Sequence, residues 1–173
     1  MSRRIVITGG NRGLGLATAQ ALARAGGRCS DGPRRREGRG GGRHAARRGP
    51  GGGRTRWTSP PMPTSRPCSP QLGVVDVLIN NAGVASDKGH GDGTLGIPVQ
   101  RGLHAFDTNT LGPWRTLRAV LPGMNRRGYG RVVNVSSGMG GLAEMDGGWP
   151  AYRVSKAALN AVTASSATRP AAT

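Results

Sequence analysis

Aromatic side chains are scarce in this chain of 173 residues, at 3% of the total, while glycine and proline together fill 31 and 12 positions. Such a composition borders on low complexity and argues against a compact, evenly built globule. Cysteine is nearly absent. Cys29 and Cys68 are the only two, with no Cys-x-x-Cys pair and no Cys/His cluster, so neither a disulfide framework nor a zinc site is indicated. His44, His90 and His104 are scattered without metal-ligand spacing, and no metal site is expected. No stretch approaches the roughly 20 apolar residues of a membrane-crossing helix. Arg3-Arg4 precedes only three apolar residues before Thr8-Gly9-Gly10, which is no secretory signal. A cytoplasmic protein with no membrane partner is expected. The lack of a Gly-x-Ser-x-Gly element and of a well-placed histidine argues against a serine hydrolase.

Acidic residues are also few, 8 against 25 basic ones, giving a net charge of +17. Much of that charge is concentrated in residues 28–71, which hold 11 Arg, 9 Gly and 7 Pro and not one Val, Ile or Leu. Such a segment cannot bury enough apolar surface to offset an ordering cost of roughly 1 to 2 kcal/mol per residue. Disorder is expected there, with no strand inserted beside Ile5-Val6-Ile7. The basicity reads as local rather than as a property of a folded face. An Arg-Gly segment contacting phosphates is the competing functional reading, but Trp57 is the segment's single aromatic, so stacking platforms are scarce and a nucleic-acid partner is not expected.

The flanks are differently composed. Arg4-Ile5-Val6-Ile7-Thr8 reads as a strand, and Leu14, Ala17, Ala21, Leu22 and Ala25 follow helical spacing until Gly26-Gly27. Val74–Ile79 and Val132–Val135 suit strands buried on two faces of a parallel sheet. Between them Leu103, Phe106, Trp114, Leu117 and Leu121 mark one side of a helix with a kink at Gly112-Pro113, and residues 151–167 form a last helix with no evident cap. The alternation predicts an α/β doubly wound, Rossmann-like parallel sheet, in a single partial domain over 1–173 interrupted at 28–71.

Chemistry-bearing residues sit where such a sheet would use them. Gly9-Gly10-Asn11-Arg12-Gly13-Leu14-Gly15 lies between a strand and a helix, where glycines let the backbone approach a pyrophosphate met by the helix amides and dipole. Asn80-Asn81-Ala82-Gly83 follows the second apolar run and Ser136-Ser137 the third, and Tyr152-x-x-x-Lys156 lies on the last helix, with Asn109 in between. Tyr152 and Lys156 are i and i+4, on one helix face. These motifs, in this order, closely resemble the short-chain dehydrogenase/reductase family, over residues 4–27 and 73–163, and the likeness is to its carbonyl-reductase-like members.

The resemblance implies an oxidoreductase moving hydride between NADP(H) and a small carbonyl or alcohol substrate. It makes Asn109, Ser137, Tyr152 and Lys156 catalytic. Tyr152 exchanges the proton with the substrate oxygen, Lys156 also holds the nicotinamide ribose, Ser137 rather than Ser136 bonds the carbonyl, and Asn109 helps hold a water. It assigns cofactor binding to Gly9, Asn11, Arg12, Gly13, Leu14, Gly15, Asn81, Ala82 and Gly83, together with Tyr152 and Lys156. Arg12, and the lack of a recognisable acidic residue ending a second strand, point to NADP(H) over NAD(H). The family's chain continues past the Tyr-x-x-x-Lys helix, so a truncated chain with little turnover is expected. Residues 28–71 and 164–173 also read as translated out of frame: Arg56–Pro60 read from the third base of each codon permits the Leu-Asp-Val-Thr common at the family's third strand. A genuine Arg-Gly linker is the alternative.

Overall fold

The structure is a computed structural model that describes residues 3–31, 73–87 and 93–167. The chain divides into two compact units, Met1–Asn81 with Arg118–Val133, and Ala82–Leu117 with Asn134–Thr173.

In the first unit, β1 (Arg4–Thr8) buries Ile5, Val6 and Ile7 in succession, the pattern of a strand covered on both faces. Helix α1 (Gly13–Arg24) follows, and the amides of Gly26 and Gly27 turn back to the carbonyls of Ala23 and Leu22 to end it. The chain then enters β2 (Arg28–Asp31), parallel to β1 with Arg4 opposite Arg28 and Ile7 opposite Asp31. Strand β3 (Val77–Asn80) pairs parallel on the other side of β1, and β4 (Arg131–Asn134) completes the order β2-β1-β3-β4. Ile5, Ile7, Ala19 and Cys29 form the core, with Leu22, Ala23, Val77 and Ile79 packed against it.

The α/β parallel sheet agrees with the sequence reading, and β1, β3 and β4 are the three strands it found, adjacent in the sheet. β2 is a correction, because residues 28–31 are not an irregular excursion but a strand beside Ile5-Val6-Ile7. An outer strand can be held by backbone hydrogen bonds to its one neighbour, and here only Cys29 is buried, at 8% exposure. The expected disorder of 32–71 lies outside the described residues. Two faces are corrected as well. α1 turns Gly15 and Ala19 inward with Leu22 and Ala23, leaving Leu14 77% exposed. β4 is not buried on two faces, since Val133 is 48% exposed at the outer position of the described sheet.

In the second unit, α2 (Gly93–Gly96) and α3 (Val99–Phe106) lead into a π turn over Asp107–Leu111 and then α4 (Gly112–Arg126), whose residues from Arg118 onward belong to the first unit. The amide of Gly112 bonds to the carbonyl of Asp107, five residues back. Pro113 has no N–H to offer Asn109 four residues earlier, and the helix widens into the π turn at the point where the sequence predicts a kink. The inserted residue shifts the phase of the buried stripe. Leu103 and Trp114 consequently stand exposed while Ala105, Asn109, Thr110 and Leu117 are buried. Two short 3₁₀ turns (Gly138–Gly140, Leu142–Glu144) precede α5 (Pro150–Ser166).

Candidate functional site

The glycine-rich loop belongs to the first unit. β1 delivers Thr8 to the loop and α1 begins at Gly13, with extended Arg12 as its N-cap residue. No side chain caps α1 and no carboxylate lies in its first turn, an arrangement that suits an anion at the helix start. Backbones here are in close contact. A Cβ at Gly15 would lie 2.3 Å from the Gly9 carbonyl oxygen and 2.5 Å from Asn81 Nδ2. Asn81 fastens the end of β3 to the same loop: its amide donates to Thr8 Oγ1 at 3.1 Å, and Nδ2 donates to the carbonyls of Thr8 at 3.1 Å and Gly9 at 3.4 Å. Arg12 is exposed and makes no ion pair among the described residues. These features fit a dinucleotide pyrophosphate laid along the loop.

The second unit holds a connected row of polar side chains along α5. Asn109, fully buried, is clamped in both directions by Val84: Oδ1 accepts from the Val84 amide and Nδ2 donates to the Val84 carbonyl, each at 2.8 Å. Nδ2 also donates to Ser155 Oγ at 2.9 Å, and Ser155 Oγ donates to the Tyr152 carbonyl at 2.7 Å. Lys156, 4% exposed, donates from Nζ to the Val135 carbonyl at 2.7 Å and lies 5.7 Å from the centre of the Tyr152 ring. Burial lowers its pKa below the ordinary lysine value. None of the described residues hydrogen-bonds the Tyr152 hydroxyl.

The two serines differ in a way the sequence does not reveal. Ser136 Oγ donates to Asn160 Oδ1 at 2.6 Å, whereas Ser137 Oγ accepts from the Met139 amide at 3.2 Å and keeps its own proton. The loop carrying them is pressed onto α5, where a Cβ at Gly140 would come 2.8 Å from the Lys156 carbonyl carbon. Three supports escaped the sequence reading. Ser155 links Asn109 to Tyr152. Asp87, 2% exposed, accepts from the Tyr152 amide through Oδ2 at 2.7 Å and caps a helix that has no cap of its own. Arg153 reaches the carbonyls of Glu144 and Gly148 and pairs with Asp146 at 2.6 Å, ordering the loop before α5. Only the i, i+3 spacing of Tyr152 and Ser155 was a usable signal.

A family model for short chain dehydrogenase matches residues 64–173. C-signal of Myxococcus xanthus is 45% identical over 97 residues, 56% of this chain and 57% of that protein. Acetoacetyl-CoA reductase of Rhizobium meliloti is 32% identical over 152 residues, 84% of this chain and 59% of its own. Among solved structures, a short-chain dehydrogenase from Streptomyces avermitilis superposes with a TM-score of 0.70 at 26% identity, over 95% of this chain and 59% of that one. The chain thus spans a little under three fifths of the length of these relatives. With the parallel sheet, the glycine loop and a matched model over more than half its residues, the chain belongs to the short-chain dehydrogenase family.

Proposed function

We propose that the chain is an NAD(P)(H)-dependent oxidoreductase that interconverts a small carbonyl compound and its alcohol. The observation that carries this reading is the row Asn109–Ser155–Tyr152 with Lys156 beside it. Gly9, Asn11, Gly13, Leu14 and Gly15 would hold the pyrophosphate side of the cofactor, and Asn81, Ala82 and Gly83 would border it. A bound nicotinamide supplies or accepts the hydride. The Tyr152 hydroxyl, without a hydrogen-bond partner among the described residues, hands a proton to the substrate oxygen, and the Lys156 ammonium near its ring favours the phenolate left behind. Ser137 rather than Ser136 bonds the carbonyl, because only Ser137 retains an uncommitted proton. Asn109 is held too rigidly to reorient and serves as the fixed post of the row, with water beside Lys156 completing proton return.

Cofactor choice rests on Arg12. Arg12 favours the 2'-phosphate of NADP(H). Asp31 ends β2, so the expectation that no acidic residue ends a second strand is corrected. NADP(H) is preferred by about 1 kcal/mol or less, the scale of an exposed ionic contact. Fluorescence titration of the chain with NADPH and NADH tests both levels. Arg12→Ala is expected to abolish the preference, and Tyr152→Phe to leave nucleotide binding unweakened. Absence of binding to either nucleotide would refute the reading.

A further inference from the structure

The amino-terminal end of the sheet, opposite the end at which β1 delivers Thr8 to the glycine loop, is lined with arginine. Arg4 and Arg28 start neighbouring strands in register, and the Arg28 amide donates to the Arg3 carbonyl at 2.9 Å. Arg131 starts β4 and donates from its amide to the Asp76 carbonyl at 3.0 Å, while Asp76 bonds in turn to the Arg4 carbonyl at 2.9 Å. Arg127 donates from its guanidinium to the Val75 carbonyl at 2.6 Å. The guanidinium groups of Arg3 and Arg131 each stand over the ring of Tyr129, 5.0 and 5.4 Å from its centre. Arg24 and Arg126 occupy the last turns of α1 and α4, whose carboxyl ends lie at this same end of the sheet. All of these arginines are exposed. Among the described residues at this end, Asp76 is the one carboxylate, shared between the Arg4 amide at 2.8 Å and Arg127 at 3.9 Å. The basicity is therefore also a property of a folded face, which corrects the expectation that it is confined to residues 28–71.

We propose that this end of the sheet docks the phosphodiester backbone of double-stranded nucleic acid without reading its bases. Three strand spacings of about 4.8 Å separate β2 from β4, so Arg28 and Arg131 stand roughly 14 Å apart, the axial span of about four phosphates on one strand of a duplex. Guanidinium forks suit phosphate oxygens. A lipid surface fits less well, because Tyr129 is already flanked by arginines and Val74, 44% exposed, is the apolar side chain left for insertion. The proposal uses none of the residues assigned to the oxidoreductase reaction.

Fluorescence anisotropy of labelled 20-base-pair duplexes of two unrelated sequences, titrated with the full chain across 50 to 200 mM salt, tests it. The paired variant Arg28→Gln/Arg131→Gln is compared with Arg101→Gln/Arg118→Gln, which removes the same charge from exposed positions elsewhere, and with Arg28→Lys/Arg131→Lys. The arginines of 32–72 are unchanged in every variant and cancel. Two lost contacts should lower the salt slope by about 1.8 and the affinity by roughly 60-fold at 0.1 M salt. The control pair and the lysine pair should keep the wild-type slope, and both sequences should bind alike. Equal slopes in the two glutamine pairs, no duplex binding by the wild type, or binding to phosphatidylserine vesicles in place of duplexes would overturn the proposal.

Discussion

Replacing Gly15 by alanine adds one methyl group at the most crowded point of the nucleotide loop. Its carbon would be placed 2.3 Å from the Gly9 carbonyl oxygen and 2.5 Å from Asn81 Nδ2, well inside contact distance, and the nearer obstacle is backbone that cannot swing aside. Overpacking of this kind costs roughly 1 to 3 kcal/mol. Displacing Asn81 also loosens its bonds to the Thr8 and Gly9 carbonyls, each worth about 0.5 to 1.5 kcal/mol. Against this stands a gain of up to about 1 kcal/mol in helix propensity. The balance is a loss of roughly 2 to 3 kcal/mol, and at about 2 to 4 °C per kcal/mol for a chain of this size the Tm should fall by about 4 to 12 °C. Gly102→Ala in α3, where an added Cβ meets nothing within 4 Å, should leave Tm unchanged or raise it. Thermal melts followed by circular dichroism, with NADPH titration of the same samples, provide the comparison. Gly15→Ala should also bind nucleotide at least tenfold more weakly, since a shift of 1.4 kcal/mol at the loop suffices for that. An unshifted Tm with intact NADPH binding would show that α1 does not press against the loop and that the site geometry is wrong.

Three further outcomes follow from individual side chains. Lys156 is protonated against the cost of burial, so between its lowered folded pKa and the ordinary 10.5 the unfolded chain binds more protons and wild-type stability rises with pH; Lys156→Met should be the more stable protein at pH 7, by a margin that shrinks toward pH 10, and a margin constant with pH would contradict this. Cys29 is buried and its thiol pKa is raised by that burial, so in a Cys68→Ser background it should resist a thiol reagent until denaturant is added, while reaction at the rate of a free thiol would remove β2 from the sheet. Asp87→Ala deletes the acceptor for the first turn of α5 and should cost about 0.5 to 2 kcal/mol, read as a lower urea midpoint; an unchanged midpoint would mean that α5 starts without it.

The parts of the fold visible in the sequence are those in which local chemistry and tertiary context agree. Ile5-Val6-Ile7 is apolar because β1 is covered on both faces, and the glycines after it are legible because a close backbone approach demands them. β2 was missed for the opposite reason: Arg28-Cys29-Ser30-Asp31 carries no residue that favours a strand strongly, and its conformation comes from the ladder it shares with β1. The inward face of α1 was misjudged because Gly15 and Ala19 register as weakly apolar, although their smallness is what lets the helix approach the sheet. At the proposed catalytic row, Asn109, Tyr152 and Lys156 were named from the family resemblance, but Ser155 and Asp87 act through hydrogen bonds to partners 46 and 65 residues away, and no local pattern encodes such distances. Ser137 was preferred to Ser136 from the family resemblance, and the bond that commits the Ser136 hydroxyl goes to Asn160, which the motif does not contain.

Because Trp149 precedes α5 in a left-handed conformation and offers no side-chain cap, the first turn of that helix has its acceptor in a loop 65 residues earlier in the chain. Holding that contact requires closing a loop of 65 residues, whose entropic cost grows only slowly with length. Tyr152 sits in that first turn. The backbone at Tyr152 is thereby tied to a residue 65 positions earlier, so a change at Asp87 acts directly on the Tyr152 amide although the two are far apart in sequence.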